Sequence, residues 1–231
     1  MQMKKLQRAF VLIEIAIALF VLALVLGGIL APINQQIQQG KVRDTQKAIN
    51  DINDALIGFV MINGRLPRPA TSSTNGLENA ATCATEAACT GFIPWTTLGS
   101  PKVDAWGNLI QYSVTPAFAN AAFTLTTVGT KTIQERNSGG ALVSYATLVP
   151  AVVWSHGPEN FGTNDAGIGR ANSSSGVTNA DEITNNAASV TFIRRIETTN
   201  TAAGGGEFDD IVTFIPTAVL IGKAIAAGKL P

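Results

Sequence analysis

The stretch from Phe10 to Ile33 reads FVLIEIAIALFVLALVLGGILAPI and decides the fold that the sequence predicts. Every position in it is apolar except Glu14, Gly27, Gly28 and Pro32. At about 1.5 Å per residue, a helix of this length spans about 36 Å, enough for the apolar core of a bilayer. The stretch therefore predicts a helix that crosses a membrane once.

A basic leader precedes this stretch and predicts its orientation. Lys4, Lys5 and Arg8 are expected to stay in the cytoplasm, which places the C-terminal bulk of the chain outside. A secretory signal peptide fits less well, because its apolar core is shorter and a small-residue cleavage site follows it. A plain membrane anchor fits the length but does not account for Glu14.

Glu14 is the informative residue of the apolar stretch. A carboxylate at membrane depth is costly and indicates a function with a specific partner. If the chain is cut between Ala9 and Phe10, the new α-amino group of Phe10 lies one helical turn from Glu14. The amine and the carboxylate could then pair within one chain or between neighbouring chains.

The segment Arg8-Ala9-Phe10-Val11-Leu12-Ile13-Glu14-Ile15 resembles the cleavage motif of type IV prepilins. Ala9 stands where this family usually has Gly, and Val11 stands where Thr is common. Pro32 matches a proline near the end of the family's apolar run. The resemblance to type IV pilins and type II secretion pseudopilins implies cleavage by prepilin peptidase before Phe10 and N-methylation of Phe10.

Apolar residues keep near-helical spacing beyond the first stretch, from Ile33 to Val60. This spacing predicts one long helix from about Phe10 to about Val60, kinked near Pro32 and followed by stop signals from Asn63 to Pro67. Five short runs with the composition of β-strands follow and predict strands over Leu109 to Val114, Phe123 to Val128, Leu148 to Trp154, Val190 to Ile196 and Phe208 to Ile215. We therefore predict an α+β fold, with a long N-terminal helix packed on a small antiparallel sheet, as in pilins.

Four regions follow from this prediction: a leader over 1–9, an apolar membrane or filament-core helix over 10–33, an amphipathic continuation over 34–62, and a globular head over 63–231. The 16 basic and 16 acidic side chains balance, which excludes a nucleic-acid binder that works by bulk charge. With only two cysteines, the chain is not a disulfide-dense scaffold.

Cys83 and Cys89 are expected to form a disulfide if the head lies outside the cytoplasm, and two free thiols are the alternative. The loop from Glu159 to Glu182 carries the oxygen ligands that calcium prefers, with Asp165, Asp181 and Glu182 as candidates. Their spacing matches no EF-hand, so a solvated polar loop is the favoured interpretation. We therefore expect no required cofactor.

Three head segments resemble those of pilins and pseudopilins: Asp104-Ala105-Trp106-Gly107-Asn108, Ser155 to Asn160, and Phe208 to Val212. The first is a turn in which Gly107 and Asn108 tolerate positive φ and Trp106 anchors the turn. His156 follows Ser155 directly, and adjacent residues cannot easily form a nucleophile–base pair. We therefore expect no enzyme activity.

The sequence thus predicts a structural subunit of a type IV pilus or a type II secretion pseudopilus. The resemblance implies as partners identical or related subunits, prepilin peptidase, an inner-membrane assembly platform and, before assembly, the membrane itself. The location would be the inner membrane, with a single pass, and then a periplasmic or cell-surface filament. The alternative is a membrane-anchored binding module outside the cytoplasm that does not polymerise.

Overall fold

A computed structural model describes residues 3–174, 178–187 and 190–231, with the side chains of the first helix described over 13–24 and from 34 onward. The helices are α1 (Met3–Asn63), α2 (Trp95–Leu98), α3 (Pro116–Ala119), α4 (Ala180–Ala187) and α5 (Thr217–Ala226). The strands are β1 (Thr90–Phe92), β2 (Gln111–Val114), β3 (Lys131–Arg136), β4 (Leu142–Val149), β5 (Ala151–Ser155), β6 (Thr191–Ile193) and β7 (Ile211–Ile215).

The chain divides into two compact units, residues 1–43 and residues 44–231. The second unit holds the two sheets found in the described part of the chain. One is antiparallel, with the strand order β1-β2-β5-β7. The other has the order β4-β3-β6, in which β3 pairs antiparallel with β4 and parallel with β6.

The main core of the second unit forms where the end of α1 meets the four-stranded sheet. Ile49, Ile52 and Leu56 are fully buried at helical spacing, in one cluster with Tyr112 and Val153. Burial of each such side chain contributes about 1.5–3 kcal/mol. A smaller cluster joins the two sheets and consists of Ile133, Val149, Val152, Trp154 and Phe192.

The strand predicted over 148–154 is two strands, β4 and β5, that belong to different sheets. Pro150 separates them and has no N–H to donate to a sheet. Leu148 has a φ of 57°, which redirects the chain just before the proline. The apolar run therefore passes from one sheet to the other instead of continuing in one of them.

The strand predicted over 123–128 is a turn. The N–H of Thr124 donates to Oγ1 of Thr127 at 2.9 Å, and the N–H of Thr127 donates to the carbonyl of Thr124 at 3.1 Å. Threonine side chains that bond nearby backbone compete with a β ladder in this way. The actual hairpin partners, β3 and β4, flank the turn at Asn137. The predicted strands do not include β3, and they include only the last two residues of β4.

The predicted fold class, a pilin-like arrangement built on a long apolar helix, is wrong. The side chains of α1 are described over 13–24 and 34–63, and neither stretch is a long apolar helix. The first covers only about 18 Å, and the second carries glutamines and charged residues on several faces. The structure supports the coarser description of a mixture of helices and strands that includes antiparallel sheets.

The predicted location, with a single pass through the inner membrane, is also wrong. Among the described residues, no helix is long and apolar enough to cross a membrane. The prediction counted all 24 residues of the apolar stretch, whereas the described side chains cover residues 13–24 of it.

Candidate functional site

The first unit places Glu14 on a helical segment that is apolar and exposed. Every residue from 13 to 24 is exposed, with Ile17 at 58% and Phe20 at 65%. Ala9, Phe10 and Pro32 lie in α1, but their side chains are outside the described residues, so their predicted roles in processing and in the kink stay predictions.

The turn at Asp104–Asn108 is tied together by one buried carboxylate. Oδ1 of Asp104 accepts from the N–H groups of Trp106 and Asn108, both at 2.9 Å. Its Oδ2 accepts from the hydroxyl of Ser155 at 2.6 Å. The turn is therefore joined to the end of β5, where Nδ2 of Asn108 also donates to the carbonyl of Gly157 at 2.8 Å.

Both ring nitrogens of the neighbouring His156 have hydrogen-bond partners. Nδ1 of His156 lies 3.2 Å from Oδ1 of Asp210, and Nε2 accepts from the indole of Trp154. Ser155 is committed to Asp104 instead of to this ring. The arrangement does not form a nucleophile–base pair, because the hydroxyl and the imidazole have separate partners.

Beside His156 lies an acidic cluster that consists of Glu182, Asp209 and Asp210. Asp210 accepts from Nδ2 of Asn185 at 2.8 Å, and Glu182 accepts from Nδ2 of Asn160 at 3.0 Å. Glu182 also accepts the N–H of Asp209 at 3.0 Å. Two of the three carboxylates are thus well supplied with donors.

Asp209 is the carboxylate of this cluster that lacks donors. Its Oδ2 accepts from the N–H of Glu159 at 3.0 Å, while its buried Oδ1 has no hydrogen-bond partner among the described residues. Burial, together with the nearby charges of Glu182 and Asp210, raises the pKa of Asp209 to about 9. Burial also raises the pKa of Glu182. The cluster therefore holds a proton on Asp209 at neutral pH.

The three calcium candidates are not brought together. Asp165 pairs with Lys102, and Asp181 pairs with Arg136 at 2.6 Å and with Arg195 at 2.7 Å. Glu182 belongs to the acidic cluster. Within the described residues, no group of three or more His, Cys, Asp or Glu side chains could hold a metal ion.

A pocket of about 610 Å³ is lined by residues at the end of β3 and in the segment after β6. Arg136 and Arg195 line it, but both donate to Asp181 and also to backbone carbonyls, those of Gly140 at 2.6 Å and Gly206 at 3.0 Å. These guanidinium groups are therefore bound within the fold, which disfavours an anion site that depends on them.

Cys83 and Cys89 form a disulfide with a Cα–Cα distance of 5.1 Å. The loop between them carries Glu86, whose Oε2 accepts from Nζ of Lys131 at 2.5 Å. The side chain of Lys131 is fully buried at the start of β3. Burial lowers the pKa of Lys131, and the hydrogen bond to Glu86 opposes that shift.

Reasoning from the sequence missed how the three quoted head segments meet. Residues 104–108, 155–160 and 208–212 converge through Asp104, Ser155, His156 and Asp210. The available signal was that each segment places polar residues next to an apolar strand. Asn185 joins α4 to β6, because its Oδ1 accepts from the N–H of Ile193 at 2.7 Å. Nothing in the sequence around Asn185 indicated this contact.

Comparison with protein-family models, curated proteins and solved structures finds no match for this chain.

Proposed function

We propose that this chain is a structural subunit of a filament of the type IV pilus or type II secretion pseudopilus class. Prepilin peptidase cuts it before Phe10, and it assembles through its N-terminal helix. The observation that carries the proposal is the exposure of apolar side chains all round the helix over residues 13–24. The apolar surface of such a helix must be buried away from water, and identical helices from neighbouring subunits can bury it.

The exposed apolar surface is large enough to drive association. Eight large apolar side chains in this segment are each more than half exposed: Ile13, Ile15, Ile17, Leu19, Phe20, Val21, Leu22 and Leu24. With about 1.5–3 kcal/mol for complete burial of each, bundling contributes on the order of 10 kcal/mol. This is comparable to the estimated 4–15 kcal/mol that association costs in lost freedom, so each subunit needs several neighbours, as a filament provides.

Glu14 gives the bundle its register. It is the one charged residue in the segment from 13 to 24. A carboxylate in an apolar bundle costs several kcal/mol unless it is paired. Cleavage before Phe10 creates an α-amino group one turn away, on the same chain or on a neighbour, and this amine neutralises Glu14.

The first test is the mass of the N-terminal peptide of the native chain. The proposal expects a chain that begins with N-methylated Phe10. A native chain that begins at Met1, or at a site far downstream of Phe10, contradicts it.

The second test compares Glu14→Ala with Gln36→Ala, a matched control at an exposed polar position of the same helix. Filaments sheared from producing cells are collected by sedimentation and viewed by electron microscopy. We expect Glu14→Ala to remove the chain from the filament fraction and Gln36→Ala to leave it there. Recovery of both variants at the wild-type level contradicts assembly through Glu14.

A further inference from the structure

We draw no further inference here: the strongest candidate, the exposed and uncharged edge strand β4 of the three-stranded sheet, carries none because nothing in the described part of the structure shows what covers it.

Discussion

Trp154 donates its indole N–H to Nε2 of His156 across 3.1 Å, and this contact determines where the histidine carries its proton. An indole can only donate, so Nε2 must accept and the neutral ring must carry its hydrogen on Nδ1. That hydrogen points to Oδ1 of Asp210, 3.2 Å away. The buried ring is therefore held in one tautomer, between a donor and an acceptor.

A double-mutant cycle measures what this contact contributes. We expect Trp154→Phe and His156→Phe, alone and together, to show a coupling free energy of about 1–3 kcal/mol in urea unfolding, because Trp154→Phe leaves a buried acceptor without its donor. Tyr145→Phe is the control, since the side chain of Tyr145 is half exposed and its ring contacts remain. Additive single substitutions would contradict a stabilising role for the contact.

We expect the raised pKa of Asp209 to make the free energy of unfolding fall as the pH rises from about 4 to about 9. Its pKa is about 9 in the folded chain and about 3.9 in an unfolded chain, so the folded state binds the proton more tightly. The stability that this proton contributes is full below about pH 4 and is lost as the pH rises through about 9. We expect Asp209→Asn to be more stable than the wild type by roughly 1–3 kcal/mol at pH 7, with a difference that grows with pH.

The measurement for Asp209 is urea unfolding of both chains at several pH values from 4 to 9. Asp54→Asn, at an exposed position of α1, is the matched control and should parallel the wild type. A difference between Asp209→Asn and the wild type that does not change with pH would mean that Asp209 does not hold a proton in the folded state.

Asp181 should be the carboxylate whose loss costs the most. It is 1% exposed and accepts from both Arg136 and Arg195. Asp181→Asn leaves two guanidinium groups without their anion, and we expect it to lower the free energy of unfolding by roughly 3–5 kcal/mol. Asp51→Asn removes the exposed pair with Lys47, at 3.8 Å, and should give no measurable change. Equal effects of the two substitutions would show that burial does not govern these ion pairs.

Alanine substitutions at two glycines distinguish destabilisation by backbone strain from destabilisation by steric overlap. Gly107 and Gly157 have φ values of 84° and 66°, so alanine is strained at either position. A Cβ on Gly107 meets no atom within 4 Å, whereas one on Gly157 lies 2.6 Å from the carbonyl oxygen of Asp209. We expect Gly157→Ala to lower the melting temperature clearly more than Gly107→Ala. Similar shifts would indicate that strain alone limits both sites.

Local patterns in the sequence predicted local structure. The spacing of Ile49, Ile52 and Leu56 predicted a buried helical face, because helical periodicity is a property of neighbouring residues. The turn at Asp104–Asn108 was predictable for the same reason, and Gly107 has the positive φ that its position required. These features depend on residues that are close together in the chain.

Features that depend on distant residues were not predictable in this way. The separation of β4 from β5 depends on which sheet each strand joins, and the run of apolar residues around Pro150 is the same for either arrangement. The pairing of Asp104 with Ser155 joins residues 51 positions apart. The sequence named both residues within separate segments, but neither segment carries information about the other.

The junction at Pro150 bears on how the head folds. A slip of β5 by one residue against its neighbours would pull β4 along β3 and turn its side chains to the opposite face. The cluster that joins the sheets, with Val149 on one strand and Val152 on the next, would be lost in both sheets at once. We expect the two sheets to form one cooperative folding unit, in which the slowest-exchanging amides of β3 and β5 share a single opening free energy.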